Sequence, residues 1–466
     1  MKITLYGAAG GEVTGSAYHI QTDRASVLLD FGMFQGGRQA EDRNRVLPQF
    51  DLGKLNAVLL THAHLDHTGR LPLLIQAGYH GPIFCTPATV EIAALILRDS
   101  ARLQAGDNER TNRKRARAGE EPIAPLYTSE HVEAVLGLFR TVPYRDPVAV
   151  APGITARYVE AGHMLGSASL QLTIEEKGRT KTVVFSGDLG PKGAPILKDY
   201  EPFHHADLVF LESTYGDRDH KPYPETVNEF IEIVKQVVAR RGKMLIPTFA
   251  VGRAQLLLTL LAWAFRHHKI PSFPVYLDSP MASAATEIYR NHTELFDAEM
   301  LAFLKQGSVA DELEMAHSKV CVTAQDSMAL NDLAGPCMIL AGAGMCNGGR
   351  IVHHLRNNLY KPETAVIIVG YQSDGSLGRQ LVDGKKLVSI FGEPVAVKAS
   401  VHTLGGFSAH AGQTDLLNWF GAMAGSKPRV VLTHGEDRGR EPLAAKIQER
   451  FKIKAELPEL GTSLEL

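Results

Sequence analysis

Six residues, His62-Ala63-His64-Leu65-Asp66-His67, follow the apolar run Ala57-Val58-Leu59-Leu60 and precede Thr68-Gly69-Arg70. Three imidazoles and a carboxylate at the end of a buried strand suit a borderline-soft divalent cation far better than they suit a core. Zinc takes nitrogen and carboxylate oxygen as ligands, and alternate residues of an extended segment face the same way. His62 and His64 are therefore expected to serve one ion, while Asp66 and His67, where the chain turns, reach a second. Further donors close later apolar runs. His163 stands in Ala161-Gly162-His163-Met164-Leu165-Gly166, Asp188 ends Thr182-Val183-Val184-Phe185-Ser186-Gly187-Asp188, and His434 follows Val430-Val431-Leu432-Thr433. Any one of these histidines reads as an ordinary polar residue; a set that clusters after strands does not. The assignment expected is His62, His64 and His163 on one ion, Asp66, His67 and His434 on the other, and Asp188 bridging them through its two oxygens. That is a site for two zinc ions per chain.

The elements that must hold these donors fall into two rhythms. Up to residue 213 short strands dominate: Ile3 to Tyr6, Ala17 to Ile20, Ser26 to Asp30, and a hairpin turn around Lys177-Gly178-Arg179. Val90 to Leu103 has helical spacing, and the dense basic run Arg110 to Arg117 follows it. From Tyr215 the pattern becomes helix, strand, helix, strand. Val227, Phe230, Ile231, Val234 and Val238 repeat at helical spacing with Gly242 as a stop, and strands are expected at Lys243 to Phe249, Pro274 to Leu277, Cys337 to Leu340 and Ala365 to Val369. Such alternation implies a mostly parallel sheet covered by helices. After Val395 the first rhythm resumes. For His434 to reach His62, that last segment must return to the first domain. Residues 214–394 are then an insertion between 1–213 and 395–466.

Ligands of open parallel sheets bind beyond the carboxyl ends of the strands. Here those ends read Thr248-Phe249-Ala250-Val251-Gly252-Arg253, Asp278-Ser279-Pro280, Gly342 to Arg350, and Gly370-Tyr371-Gln372-Ser373-Asp374-Gly375. The glycine segment does not fit a dinucleotide fingerprint. Helix N-termini there offer N–H groups to anions, which makes Arg253, Ser279, Arg350, Ser373 and Arg379 candidates for binding a phosphate-rich polymer.

Composition sets the outer bounds. At 466 residues the chain exceeds one ordinary core. It lacks the apolar N-terminal stretch of a signal peptide, and no apolar run approaches the roughly 20 residues that span a bilayer. Cys85, Cys321, Cys337 and Cys346 have no metal or redox spacing and read as buried residues in a reducing cytoplasm. A net charge of -2 gives no global sign of a polyanion partner, although a local basic groove can be offset elsewhere. The run Arg110 to Arg117 needs no function as a solvated helix face.

These motifs together resemble the metallo-β-lactamase superfamily and, within it, the β-CASP nucleases that process RNA. Asp30 in Leu28-Leu29-Asp30-Phe31-Gly32 is similar to the first superfamily motif, a structural carboxylate near the metal loop; the His62 to His67 run, His163 and Asp188 resemble the next three. Glu212 in Leu211-Glu212-Ser213-Thr214-Tyr215, His410 in Phe407-Ser408-Ala409-His410-Ala411 and His434 resemble the β-CASP motifs. The resemblance implies an α/β fold, an αββα sandwich with an inserted β-CASP domain of mostly parallel sheet covered by helices. It implies a zinc-dependent hydrolase cutting single-stranded RNA, inside the strand or from its 5′ end, to leave 5′-phosphate and 3′-hydroxyl groups. A histidine at the third β-CASP position goes with RNA in this family, where DNA-directed members carry valine. A hydroxide activated by two metals would attack phosphorus, with Asp66, Glu212 and His410 as the catalytic set and His410 protonating the departing oxygen. The competing readings are a small-molecule hydrolase, a non-catalytic RNA-binding module and a DNA-directed nuclease. No membrane partner is expected, and a homodimer is compatible with the sequence.

Overall fold

A computed structural model describes residues 1–311, 318–372 and 375–466. The chain forms two units, one from Met1–Gly193, Asp199–Asp219 and His410–Leu466, the other from Ala194–Lys198 and His220–Ala409.

Strict alternation builds the first unit. Val183, Phe185, Phe210 and Val431 enter one core, whereas Val184, Val209, Leu211, Val430 and Leu432 enter another. Because successive strand residues face opposite ways, the sheet that carries them is covered on both faces. Its seven strands run in the order Ala455–Glu456, Arg429–Thr433, Leu208–Glu212, Arg179–Phe185, Ala168–Glu176, Ile154–Glu160 and Pro147–Ala151. A second seven-stranded sheet runs Ser463–Glu465, Lys2–Leu5, Tyr18–Gln21, Ser26–Leu29, Ala57–Leu59, Ile83–Cys85 and Phe139–Thr141. Between the sheets Ile3, Val27, Leu29 and Leu59 pack with Leu170, Leu172, Phe185 and Phe210. Trp419 and Phe420 of the helix Gln413–Gly421, with Leu443 and Ile447 of the helix Asp437–Phe451, cover the far face of the first sheet. Crossovers between parallel strands of the other sheet carry the helices Pro72–Gln76, Pro87–Arg117 and Ser129–Leu136. The result is the αββα sandwich implied by the resemblance. The helix Pro87–Arg117 continues through the basic run that the periodicity left beyond its end.

Parallel pairing decides where the functional loops emerge. Arg179–Phe185, Leu208–Glu212 and Arg429–Thr433 are neighbours with Phe185 opposite Phe210 and Glu212 opposite Thr433. Asp188, Glu212 and His434 therefore leave one sheet at the same edge. On the other sheet Leu29 lies opposite Leu59, which sends Asp30 and His62 out together. The two edges are tied by Ala168 N donating to Thr61 O at 2.8 Å and by Tyr18 Oη donating to Thr433 Oγ1 at 3.0 Å.

The second unit holds a six-stranded sheet, in the order Lys319–Val320, Val275–Asp278, Cys337–Ala341, Lys243–Pro247, Ala365–Ile368, Ser400–Thr403, with every pairing parallel. One face packs Met244, Ile246 and Leu340 with the helices Tyr223–Ala239 and Arg253–Arg266; the other packs Leu245, Ile339 and Val366 with Ile351, Leu355 and Leu381. Two limits differ from those expected. The chain rejoins the first unit at His410, not at 395, because Ser400–Thr403 completes the sheet of the second unit beside Ala365–Ile368. Four residues of mixed burial carry too little pattern to assign to one sheet or another. The unit also begins at His220, six residues later than 214.

One close approach governs the metal loop. A Cβ added at Gly32 would lie 1.5 Å from Asp66 O and 2.8 Å from His67 N. Gly32→Ala is expected to lower unfolding free energy by about 3 kcal/mol, the upper range for overpacking, read as a shift in the urea midpoint.

Candidate metal centre

The strand Ala57–Leu59 ends three residues before His62, and the one-turn helix Leu65–Thr68 starts just after His64. This strand-to-helix change explains the spacing. His62 and His64 project from extended backbone, whereas Asp66 and His67 project from the turn. His62, His67, His163, Asp188 and His434 are all buried.

The donors fall into two groups. In one, His64 Nδ1 lies 3.1 Å from both His62 Nε2 and His163 Nε2, and Asp188 Oδ2 lies 3.5 Å from His62 Nε2 and 3.6 Å from His163 Nε2. In the other, His67 Nε2 and His434 Nε2 are 3.2 Å apart, and Asp66 Oδ2 is 3.6 Å from His434 Nε2. Asp188 Oδ1 faces this second group, 3.3 Å from His67 Nε2 and 3.4 Å from His434 Nε2. The ligand-bearing atoms within each group lie within 4.8 Å of one another.

Three observations test whether a metal fits. Asp188 Oδ1 is buried with no hydrogen-bond partner, a state that is unfavourable unless a cation meets the oxygen. Imidazole nitrogens converge at van der Waals distance or less, although two neutral lone pairs repel. Four ligands about 2.0–2.1 Å from a zinc-sized ion in a tetrahedron would stand about 3.4 Å apart, close to the separations measured. The residues fit a metal.

Charge at the site follows its surroundings. Burial pushes His62 well below the usual imidazole range, helped by the neighbouring His67, and burial lowers His64 to about 4 despite Asp66 and Asp188. Both rings are therefore neutral, as metal ligands must be. Burial also acts to lower His67, but Asp188 and Asp30 outweigh it and hold this imidazole well above its ordinary value. Burial would raise Asp188, yet His434, His67 and His62 together hold it well below the carboxylate range.

Around the donors sits a supporting layer. Asp30, fully buried, accepts from His67 Nδ1 at 2.7 Å, Thr61 N at 2.8 Å and Thr61 Oγ1 at 2.9 Å. With a metal bound, that bond would fix the tautomer that presents an unprotonated His67 Nε2 to the site. Thr214 Oγ1 lies 3.1 Å from His434 Nδ1 and would do the same for that ring. Asp30 and His434 both adopt left-handed backbone, with φ of 56° and 51°, a conformation that persists at non-glycine residues where surrounding bonds over-determine it. Thr61 and Thr214 escaped sequence reasoning, since threonine beside a histidine carries no distinctive spacing; their positions next to His62 and after Glu212-Ser213 were the only signal.

Glu212 and His410 form a separate pair beside this cluster. Glu212 is buried, accepting from Leu189 N at 2.8 Å and Thr214 N at 3.2 Å, and its Oε1 lies 3.3 Å from His410 Nδ1. His410 is 22% exposed in its side chain, with its ring centroid 4.5 Å from that of His163. Burial acts to lower the His410 imidazole, and the Glu212 carboxylate overrides it, so the ring is held above its usual value.

The other candidates belong to the second unit. Arg253 and Arg350 open the helices Arg253–Arg266 and Arg350–Asn358, while Ser279 caps Pro280–Asn291 by accepting from Ala282 N. Arg350 is not a free cation: its guanidinium donates to Asp278 Oδ1 at 2.7 Å and to the carbonyls of Cys321 and Val322 at 2.9 Å each. Asp278 also accepts from Ser327 and His354, which makes Arg350 part of a buried brace. Arg379 Nε donates to Asp383 at 2.8 Å. Ser373 lies outside the described residues.

Comparison with known proteins identifies the family. Residues 10–248 match the model of the metallo-β-lactamase superfamily. Residues 254–381 match the β-CASP domain, and residues 394–458 match the Zn-dependent metallo-hydrolase RNA specificity domain. The chain belongs to the metallo-β-lactamase superfamily. Within it, the chain is a member of the β-CASP group. A ribonuclease of Thermus thermophilus is 42% identical over 438 residues, covering 94% of each chain. Transcription termination factor FttA of Pyrococcus abyssi is 30% identical, covering 96% of this chain and 68% of its own length. A crystal structure of a protein of unknown function from Enterococcus faecalis shares the fold over 100% of this chain and 99% of its own, with TM-score 0.56 and 16% identity.

Asp30→Asn should reduce metal affinity by about 10–100-fold, the usual effect of losing such a carboxylate. Competition against a zinc-binding dye measures it, and unchanged affinity would remove Asp30 from the supporting role.

Proposed function

We propose that this protein is a ribonuclease that uses two zinc ions to hydrolyse phosphodiester bonds in single-stranded RNA, in RNA processing or decay. The observation that carries the reading is the bridging posture of Asp188, whose two oxygens face different donor groups. His62, His64 and His163 would hold one ion and Asp66, His67 and His434 the other, with Asp188 shared. Zinc, when bound, supplies a Lewis acid that draws charge from phosphoryl oxygens and makes hydroxide available near neutral pH.

The chain's own groups account for the rest of the chemistry. As a water oxygen bonds to phosphorus, the bond to the 3′ oxygen breaks and that oxygen needs a proton. His410 is the donor: it is partly exposed, and Glu212 holds its Nδ1 and favours the protonated ring. The proton leaves from Nε2, the nitrogen that Glu212 does not engage. Cleavage of this polarity leaves 5′-phosphate and 3′-hydroxyl ends. RNA as substrate is supported by the RNA specificity domain matched at 394–458 and by the activity in the name of the Thermus relative. The FttA relatives favour a second reading for the cellular role, cutting transcripts at termination.

Incubation of RNA labelled at either end should yield 5′-phosphorylated products, and a chelator should abolish them; cleavage that survives metal removal would sink the proposal. His410→Ala is expected to retain its zinc by elemental analysis while kcat falls about 10²–10⁴-fold, the range for losing a general acid. Near-normal turnover in that variant would exclude His410 as the donor.

A further inference from the structure

Ahead of its last strand, the second unit carries a small antiparallel hairpin, Leu387–Ile390 paired with Glu393–Ala396, whose connecting residues are Phe391 and Gly392. Both have positive φ, 53° and 83°, as a two-residue turn matching the twist of a hairpin requires. Asparagine, aspartate or glycine normally occupies the first of these positions, because a bulky side chain is strained there. Another such turn, Lys177-Gly178, keeps a flexible, soluble side chain at that place. Phe391 instead presents an aromatic ring that is 59% exposed and so gains little from burial.

That ring is not isolated. His353 on the helix Arg350–Asn358 lies 4.8 Å from it between centroids, and Arg356, one turn on, places its guanidinium carbon 5.8 Å from the ring centre. Arg356 continues into a cavity of about 450 Å³ shared with Tyr360, Glu393 and Pro394. Tyr360 is 50% exposed and carries Lys361 Nζ 5.6 Å from its ring centre. The exposed Lys386 and Lys398 are backbone neighbours of this region, Val397 N donating to Lys386 O and Lys398 N to Leu359 O. Glu393, 4.0 Å from Arg356, is the acid that partly offsets them.

We propose that this face binds single-stranded RNA, one base stacking on Phe391 and another on Tyr360 while Arg356, Lys386 and Lys398 hold phosphates. Exposed aromatic rings interleaved with cations are what a polyanion with flat, sequence-independent faces selects. The backbone strain at Phe391 has a purpose on this reading, since it aims the ring outward. The identity of the ligand rests on the ribonuclease reading; the platform itself rests on this unit's own residues.

The test is the full-length chain carrying His410→Ala to prevent cutting, titrated with a labelled unstructured oligoribonucleotide. Phe391→Asn should weaken binding about tenfold, the loss expected for one stacked base, whereas Phe391→Trp should retain it. Arg356→Gln should weaken binding and reduce the salt slope by about one. Because asparagine suits the turn, Phe391→Asn should also melt at the same temperature or up to about 3 °C higher. Equal RNA affinity in Phe391→Asn and Arg356→Gln, or a change in sedimentation showing that a second copy covers the face, would overturn the proposal. If the chain with His410 intact cuts RNA while Phe391 and Arg356 variants bind normally, only this inference fails. A chain that neither binds nor cuts RNA removes the ribonuclease reading along with it.

Discussion

A buried carboxylate surrounded by imidazoles is the constraint on which the first unit is organised. Asp188 has one oxygen toward each donor group and one of them unpartnered. Taking such a charge out of water costs several kcal/mol unless an opposite charge meets it. The unit therefore has two requirements at once. It must bring seven donor groups from distant parts of the chain to one point, and it must keep water and competing hydrogen bonds from satisfying them separately.

Parallel pairing meets the first requirement. Three adjacent strands deliver Asp188, Glu212 and His434 to one edge, and a parallel pair in the facing sheet delivers Asp30 and the histidine run to the opposing edge. The supporting bonds meet the second. Asp30 and Thr61 fix His67, Thr214 fixes His434, and glycines at 32 and 190 let loops approach within distances that a Cβ would forbid. Left-handed backbone at Asp30 and His434 is tolerated because these bonds leave no alternative. Glu212 illustrates how closely the parts are shared: its carboxylate both receives two backbone N–H groups and orients His410.

The second unit uses the same α/β principles for a different purpose. Its parallel strands end in loops, and one of these ends is braced by Asp278, which gathers Ser327, Arg350 and His354 into a buried network. An arginine beyond a strand end can thus be architecture, and exposure of its donors, not its position in sequence, separates the two roles. The hairpin around Phe391 shows the converse. There an aromatic ring is held on the surface against the local conformational preference of the chain.

The convergence of these side chains was legible from sequence because a metal would require particular atoms at particular intervals: His62 to His67 shows them within six residues, and His163, Asp188 and His434 each close an apolar run. The parallel sheet covered by helices was legible for a similar reason, since its alternation is written into hydrophobic spacing; the αββα layers were implied only by the family resemblance. Four things required the tertiary structure. Ser400–Thr403 joins the second unit only through its pairing with Ala365–Ile368, and sequence pattern cannot name a strand's neighbour. Arg350 is neutralised by Asp278, 72 residues away in the chain. Thr61 and Thr214 gain meaning only from the ring nitrogens they meet. Phe391 looks like a buried residue in any hydropathy reading, yet folding leaves it outside. Local sequence records what a residue offers and how its backbone repeats; which partner finally accepts that offer is decided when distant segments meet.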